Sequence, residues 1–164
     1  MQLPLTTVLF PETLAAKCRL EGDAHFPLET GGVLMGYHIG AKAVVTEIIG
    51  AGPEATHRTH SFEPDYDWQN RRIAEHYGQS GRHETYLGDW HTHPRALSGR
   101  LSSHDRGVIK KIIRTREARA SQPLMTIFYG VPGQWEFTVW CGYLTSGWFG
   151  MSRLNIGALQ VEHR

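Results

Sequence analysis

A proline at position 94 closes a strand-forming run, Glu84–His93, and two histidines stand just before it, at 91 and 93. Proline has no amide hydrogen to give to a sheet ladder, so the strand has to stop there and the chain has to turn. Side chains two apart on a strand emerge from the same face. His91 and His93 are therefore presented together at a strand end, while Thr92 between them points the other way. Imidazole nitrogens at that spacing can grip one divalent ion if a third group is brought to the same strand end.

Seven residues, 95–101, follow the proline and lead into a helix expected over Ser102–Ala118, with Val108, Ile109, Ile112 and Ile113 on its buried side. Upstream, 11–22 (PETLAAKCRLEG) predicts a helix with Pro11 at its start and Leu14, Ala15, Cys18 and Leu20 along one face. Residues 30–37 and 42–49 predict neighbouring strands with the turn near Ile39-Gly40, and Gly50–Phe62 predicts a loop. Asp65–Tyr77 predicts a helix with Tyr66, Ile73 and Tyr77 on one side; Leu124–Tyr129 and Trp135–Cys141 predict two further strands. From Gly142 onward the pattern assigns no element. The expectation is a mixed α/β domain with a sheet at its centre.

The chain has 164 residues, 40% of them hydrophobic, which suits one globular domain with a sizeable core. A net charge of +1 gives no electrostatic footprint for nucleic acid or an anionic membrane. The two cysteines, Cys18 and Cys141, are far apart and form neither a disulfide framework nor a thiolate metal site. The N-terminal run lacks a basic flank and is cut by Pro11 and Glu12, so no signal peptide is expected. No stretch approaches the roughly 20 apolar residues of a membrane span. These features together place the expected location in the cytoplasm.

The chemistry is concentrated in HTHPRALSGRLSSHD, residues 91–105. Ser102 and Asp105 are three apart at a helix start and share a face. If the seven-residue loop folds the helix tip back to the strand end, His91, His93 and Asp105 form a three-ligand site for one Zn²⁺, leaving the fourth tetrahedral position to water, as in catalytic zinc sites. Glu29, before the Gly31-Gly32 pair whose lack of side chains admits close backbone approach, is the candidate general base. Ser102 is the candidate donor to the oxyanion of a tetrahedral intermediate.

Each piece also has an ordinary explanation. Ser102 and Asp105 fit a helix cap, an HxH pair is usually unrelated to metal, and Glu29 alone is any loop carboxylate. Their joint occurrence is what favours the zinc site. His57 and His60 have a ligand-like spacing but no third partner nearby, and are expected in a solvated loop. His83-Glu84 begins like HExxH, yet Leu87 stands where the second histidine belongs. Arg95, Arg100 and Arg106 are either solvated charges or a guide for an acidic substrate tail, and Trp90 is expected to pack in the sheet.

A distant Glu followed by H-[ST]-H-P-x7-S-x2-D is the motif of the JAMM/MPN-plus (JAB-domain) metalloproteases. Glu29, His91, Thr92, His93, Pro94, Ser102 and Asp105 match all of it, and the chain resembles that family over about residues 10–141. The resemblance implies a curved mixed β-sheet flanked by helices, a cytidine-deaminase-like architecture. It also implies zinc-dependent hydrolysis of an isopeptide or peptide bond at the C-terminus of a ubiquitin-like modifier. With a single domain over 1–164, the chain is similar to the short prokaryotic JAB proteins. YLGDWHTHP and FEPDYDWQ are similar to JAB proteins of antiphage operons, which work beside a fused E1–E2 enzyme and release a conjugated cGAS-like nucleotidyltransferase. The alternatives are a peptidase trimming a ubiquitin-like or sulfur-carrier precursor, a non-catalytic MPN scaffold, and a DNA-repair-associated relative. The retained ligand set argues against the scaffold, and the neutral charge argues against DNA repair.

Overall fold

Six consecutive buried residues, Gly31 to Gly36, make one strand the centre of the molecule. A strand covered on both faces has helices above and below it. The computed structural model, which describes residues 3–164, has them. In chain order the elements are β1 (Thr7–Leu9), α1 (Glu12–His25), β2 (Gly31–Ile39), β3 (Lys42–Ile49), β4 (Thr56–His57), β5 (Phe62–Glu63), α2 (Tyr66–Gln79), β6 (Thr85–Pro94), α3 (Ser103–Arg114), β7 (Leu124–Gly130), β8 (Glu136–Ser146), β9 (Ser152–Ala158) and β10 (Gln160–Glu162).

Eight strands form one mixed sheet in the order β10-β1-β3-β2-β6-β7-β8-β9, while β4 and β5 pair separately. β9 and β10 end opposite edges of that order, yet only Leu159 separates them in sequence. The sheet therefore curls until its edges meet, and Leu159 seals the seam: its N–H donates to the Val139 carbonyl at 2.9 Å, and that of Gln160 to Thr6 at 3.0 Å. Inside the curl, α1 sets Leu14, Ala15 and Cys18 against Leu34, Val45, Trp90, Phe128 and Val139. Alternation along each strand sends the intervening residues outward. Val33 and Met35 pack with Trp68 and Ile73 of α2, and Met125 and Ile127 pack with Ile109 of α3. His91, on the outward side, lies in register with Ile127. The strand end of β6 thus opens on the face that α2 and α3 share.

Several expectations are corrected. α1 continues to His25, and Leu20 is 66% exposed, whereas Gly22 is buried against Trp135 and Thr92, where a Cβ would lie 3.1 Å from the Trp135 ring. On α2, Tyr66 is 61% exposed and Trp68 takes the inner position; Gln69 is buried because its amide donates to the Gly50 carbonyl at 2.9 Å. α3 stops at Arg114, and a short 3-10 turn, Arg116–Ala118, follows it. β1 was not expected. The tail from Gly142 completes β8 and supplies β9 and β10, so it closes the sheet. Cys18 and Cys141 are free and buried, as expected, and burial raises both thiols, Cys141 to about 12. Among the described residues, no helix is long and apolar enough to cross a membrane.

Candidate metal centre

The end of β6 and the start of α3 meet. Nε2 of His91 lies 3.0 Å from Nε2 of His93 and 3.0 Å from Oδ1 of Asp105; Nε2 of His93 lies 3.5 Å from Oδ2 of Asp105. A tetrahedral ion with bonds of about 2.0–2.1 Å needs donors about 3.3–3.4 Å apart. The two Asp105 distances run to different oxygens; with one ligand atom from each residue, the three donors lie within 4.8 Å of one another. Of the described residues, these are the ones whose ligand atoms converge in a group able to hold a metal.

Protonation states suit the same purpose. Burial, with the neighbouring His91, lowers His93 to about 4 against a smaller opposing pull from Asp105, so its ring is neutral at neutral pH. Burial pushes Asp105 upward. The hydrogen bond and charge of His91, together with donors from Ser102, outweigh it and hold the carboxyl at about 2. Two imidazole nitrogens and one carboxylate, nearly out of solvent, form a donor set that fits Zn²⁺.

Ser102 caps α3. Its Oγ accepts the Asp105 N–H at 3.1 Å, and its own N–H donates to Asp105 Oδ2 at 2.6 Å. The cap and the metal constellation are thus one arrangement, not alternatives: the capping box aims Asp105. Ser102 remains exposed.

Glu29 reaches the site through its neighbour. Thr30 N–H donates to Oγ1 of Thr92 at 3.0 Å, and Thr92 N–H donates to the Thr30 carbonyl at 2.8 Å. The residue between the histidines is bound to the residue after the glutamate. Gly31 makes this approach possible: a Cβ there would lie 2.3 Å from the Trp90 carbonyl and 2.7 Å from Cβ of His91. The half-buried Glu29 carboxyl is pushed up to about 7, chiefly by burial, with His91 lowering it and Asp105 raising it. Those two influences place it in the field of the metal constellation.

The residues expected for the site are therefore brought together, apart from the surrounding arginines. Arg95 turns its guanidinium over Phe26, 5.4 Å from the ring centroid; Arg100 and Arg106 are exposed. Trp90 is fully buried and packs on Phe128, as expected. Glu84 pairs with His76 and Thr46, away from any metal. His57 departs from expectation. It is half-buried, stacks on His25 and contacts Glu29. Sequence reasoning also missed Phe62, whose ring lies 6.3 Å from that of His91, and Asp89, one strand period before His91, which accepts a hydrogen bond from Tyr86 Oη at 2.8 Å. The alternation Asp89–His91–His93 was the available signal for Asp89; nothing local marked Phe62.

Comparison with known proteins agrees with this geometry. The family model of prokaryotic homologues of the JAB domain matches residues 11–141. A probable metalloprotease, y4qB, of Sinorhizobium fredii is 43% identical over 139 residues, covering 84% of this chain and 85% of that protein. A CD-NTase/cGAS isopeptidase of Escherichia coli is 32% identical over 66 residues, 40% of this chain and 42% of that one. The solution structure of protein DSY2949 from Desulfitobacterium hafniense shares the fold, with a TM-score of 0.64 at 15% identity over 98% of this chain and 93% of that one. The chain belongs to the prokaryotic JAB-domain family, and it is a metalloprotease of the JAMM type.

Proposed function

We propose that this protein is a zinc-dependent isopeptidase that removes a protein modifier from its conjugates. The modifier is a cGAS-like nucleotidyltransferase joined through its C-terminus, or a ubiquitin-like protein. The observation that carries the proposal is the convergence of His91, His93 and Asp105 on one point, with Glu29 bound to the same strand end through Thr30 and Thr92. The partial similarity to the Escherichia coli isopeptidase favours the nucleotidyltransferase. On this reading the enzyme acts in cytoplasmic antiviral defence, beside an E1–E2 fusion enzyme that makes the conjugates it cleaves.

A bound Zn²⁺ would act as a Lewis acid, lowering the pKa of water toward about 7 and polarising the scissile carbonyl. His91, His93 and Asp105 would hold it and leave one position open. Glu29 accepts a proton from water as its oxygen adds to the carbonyl carbon, and returns that proton to the nitrogen as the C–N bond breaks. The Ser102 hydroxyl donates to the oxyanion.

Glu29→Gln tests the proposal. Expressed in cells with the intact operon, the tagged variant should retain zinc, lose hydrolysis and co-purify with uncleaved conjugates, whose bond mass spectrometry identifies. A lysine-linked nucleotidyltransferase supports the isopeptidase. A linear precursor with residues beyond a Gly-Gly end supports the processing peptidase, which would use the same residues.

A further inference from the structure

Between β3 and α2 the chain doubles back as a strap. β4 and β5 pair through Thr56↔Glu63 and His57↔Phe62, and the strap lies across the segment that carries Glu29. Both backbone polar groups of Glu29 are held by it. The Glu29 N–H donates to the Arg58 carbonyl at 2.8 Å, and Nδ1 of His57 lies 2.9 Å from the Glu29 carbonyl oxygen. For that contact to be a hydrogen bond, Nδ1 must carry the proton. The imidazole plane follows two neighbouring rings. His25, at the end of α1, stacks on it at 3.8 Å and 20°, and Phe62 lies nearly parallel, at 14° and 6.4 Å. Phe62 then reaches the metal site, with its ring 6.3 Å from His91 and its Cζ beside Gly31.

Glu29 is therefore gripped on two sides. Thr92 fixes the following residue to the strand of the histidines, and the strap fixes Glu29 itself. The first grip sets where the backbone lies. The second limits rotation of the peptide from which the Glu29 side chain departs. A proton shuttle must keep its reach to two different atoms in one turnover, and a displacement of about 1 Å can cost on the order of 10²-fold in rate.

We propose that His57 is a positioning residue for the Glu29 base: its Nδ1–H, held in plane by His25 and Phe62, clamps the Glu29 carbonyl and so fixes the carboxylate against the metal site. This rests on the reading of Glu29 as the base. His57 touches neither substrate nor metal and acts only through Glu29.

The test compares His57→Ala, His57→Asn and His57→Gln in zinc-loaded protein. An Asn amide nitrogen falls near the place of Nδ1, whereas a Gln amide reaches toward Nε2. Amide hydrogen exchange, which needs no substrate, should quicken by about tenfold or more at Thr30, whose N–H shares a peptide unit with the Glu29 carbonyl, in the Ala and Gln variants and stay near wild type in Asn. Exchange at Glu29, whose N–H donates to Arg58 and not to His57, should change less in all three. On the conjugate trapped by Glu29→Gln, kcat should fall on the order of 10–100-fold in Ala and Gln. KM and zinc content should hold, and Asn should recover most of the rate. Unchanged Thr30 exchange in His57→Ala overturns the proposal. So does a rise in KM at constant kcat, a loss of zinc, or an Asn variant no better than Gln. If Glu29→Gln itself turns over normally, the base assignment fails, and the exchange result still decides whether His57 holds Glu29.

Discussion

Thr92, the residue between the two candidate metal ligands, is hydrogen-bonded through both its backbone and its side chain to Thr30, the residue that follows Glu29. Thr92 points away from the histidines because side chains alternate along a strand. Its hydroxyl is thereby placed to receive the Thr30 N–H at 3.0 Å, and through it the segment bearing the base. One strand end carries the candidate ligands on one face and holds the segment of the candidate base with the other.

Thr92→Val keeps the shape and removes that acceptor. The buried Thr30 N–H then lacks a partner, which costs about 1–3 kcal/mol. Urea unfolding of metal-free protein should show this loss. Zinc should still bind, because neither histidine is altered, while turnover falls. A variant as stable and as active as wild type would remove the Thr30–Thr92 pair from the account.

Asp105 serves both the helix and the metal site, and Asp105→Asn separates the roles. The amide oxygen can still accept the Ser102 N–H, so the metal-free variant should keep the cap and lose only the stability that the charged carboxylate draws from His91. Asp105→Ala should lose about 0.5–2 kcal/mol with the cap. Both variants should bind zinc poorly, since the carboxylate is gone. Zinc retained at wild-type affinity in Asp105→Asn would exclude this carboxylate as a ligand.

The motif residues were legible in the sequence because each has a local reason to be where it is. Pro94 stops the strand, Ser102 starts the helix, and Gly31 and Gly32 admit neighbouring backbone. The curl of the sheet was not legible, because it depends on Leu159 joining two edges that are far apart in strand order. β1 and β10 are three residues each, too short to show a period. Leu20 was placed in the core, but it lies two residues from both Cys18 and Gly22, about 200° round the helix, and so faces away from the buried side. His57 was read as solvated because its partners, His25 and the Glu29 carbonyl, come from distant positions in the chain.

Ser102→Ala and Ser102→Gly divide capping from catalysis. Ala loses the cap, about 0.5–2 kcal/mol, whereas Gly loses only a few tenths. Both lack the hydroxyl, so both should slow turnover by on the order of 10²–10³ with little change in KM. A Gly variant that is stable and turns over within about threefold of wild type would remove Ser102 from the chemistry.

Burial raises Glu29 from 4.5 to about 7, so the metal-free fold favours its protonated form. Linkage then gives a definite sign. The contribution of Glu29 is fully present below about pH 4.5 and is lost as pH rises through about 7. The metal-free wild type should therefore lose stability relative to Glu29→Gln between those limits, as measured by urea unfolding across the range. A constant difference between the two would show that the carboxyl is not buried in the folded protein.

The central claim is that His91, His93 and Asp105 hold one catalytic Zn²⁺. The most direct measurement is the metal content of purified wild type and His91→Ala by plasma mass spectrometry, after zinc loading and exhaustive dialysis. Thermal unfolding alongside would show that the variant is folded. The account predicts about one zinc per chain in the wild type and nearly none in folded His91→Ala, because two remaining ligands cannot retain the ion against dialysis. A full equivalent of zinc in His91→Ala, or none in the loaded wild type, would contradict it.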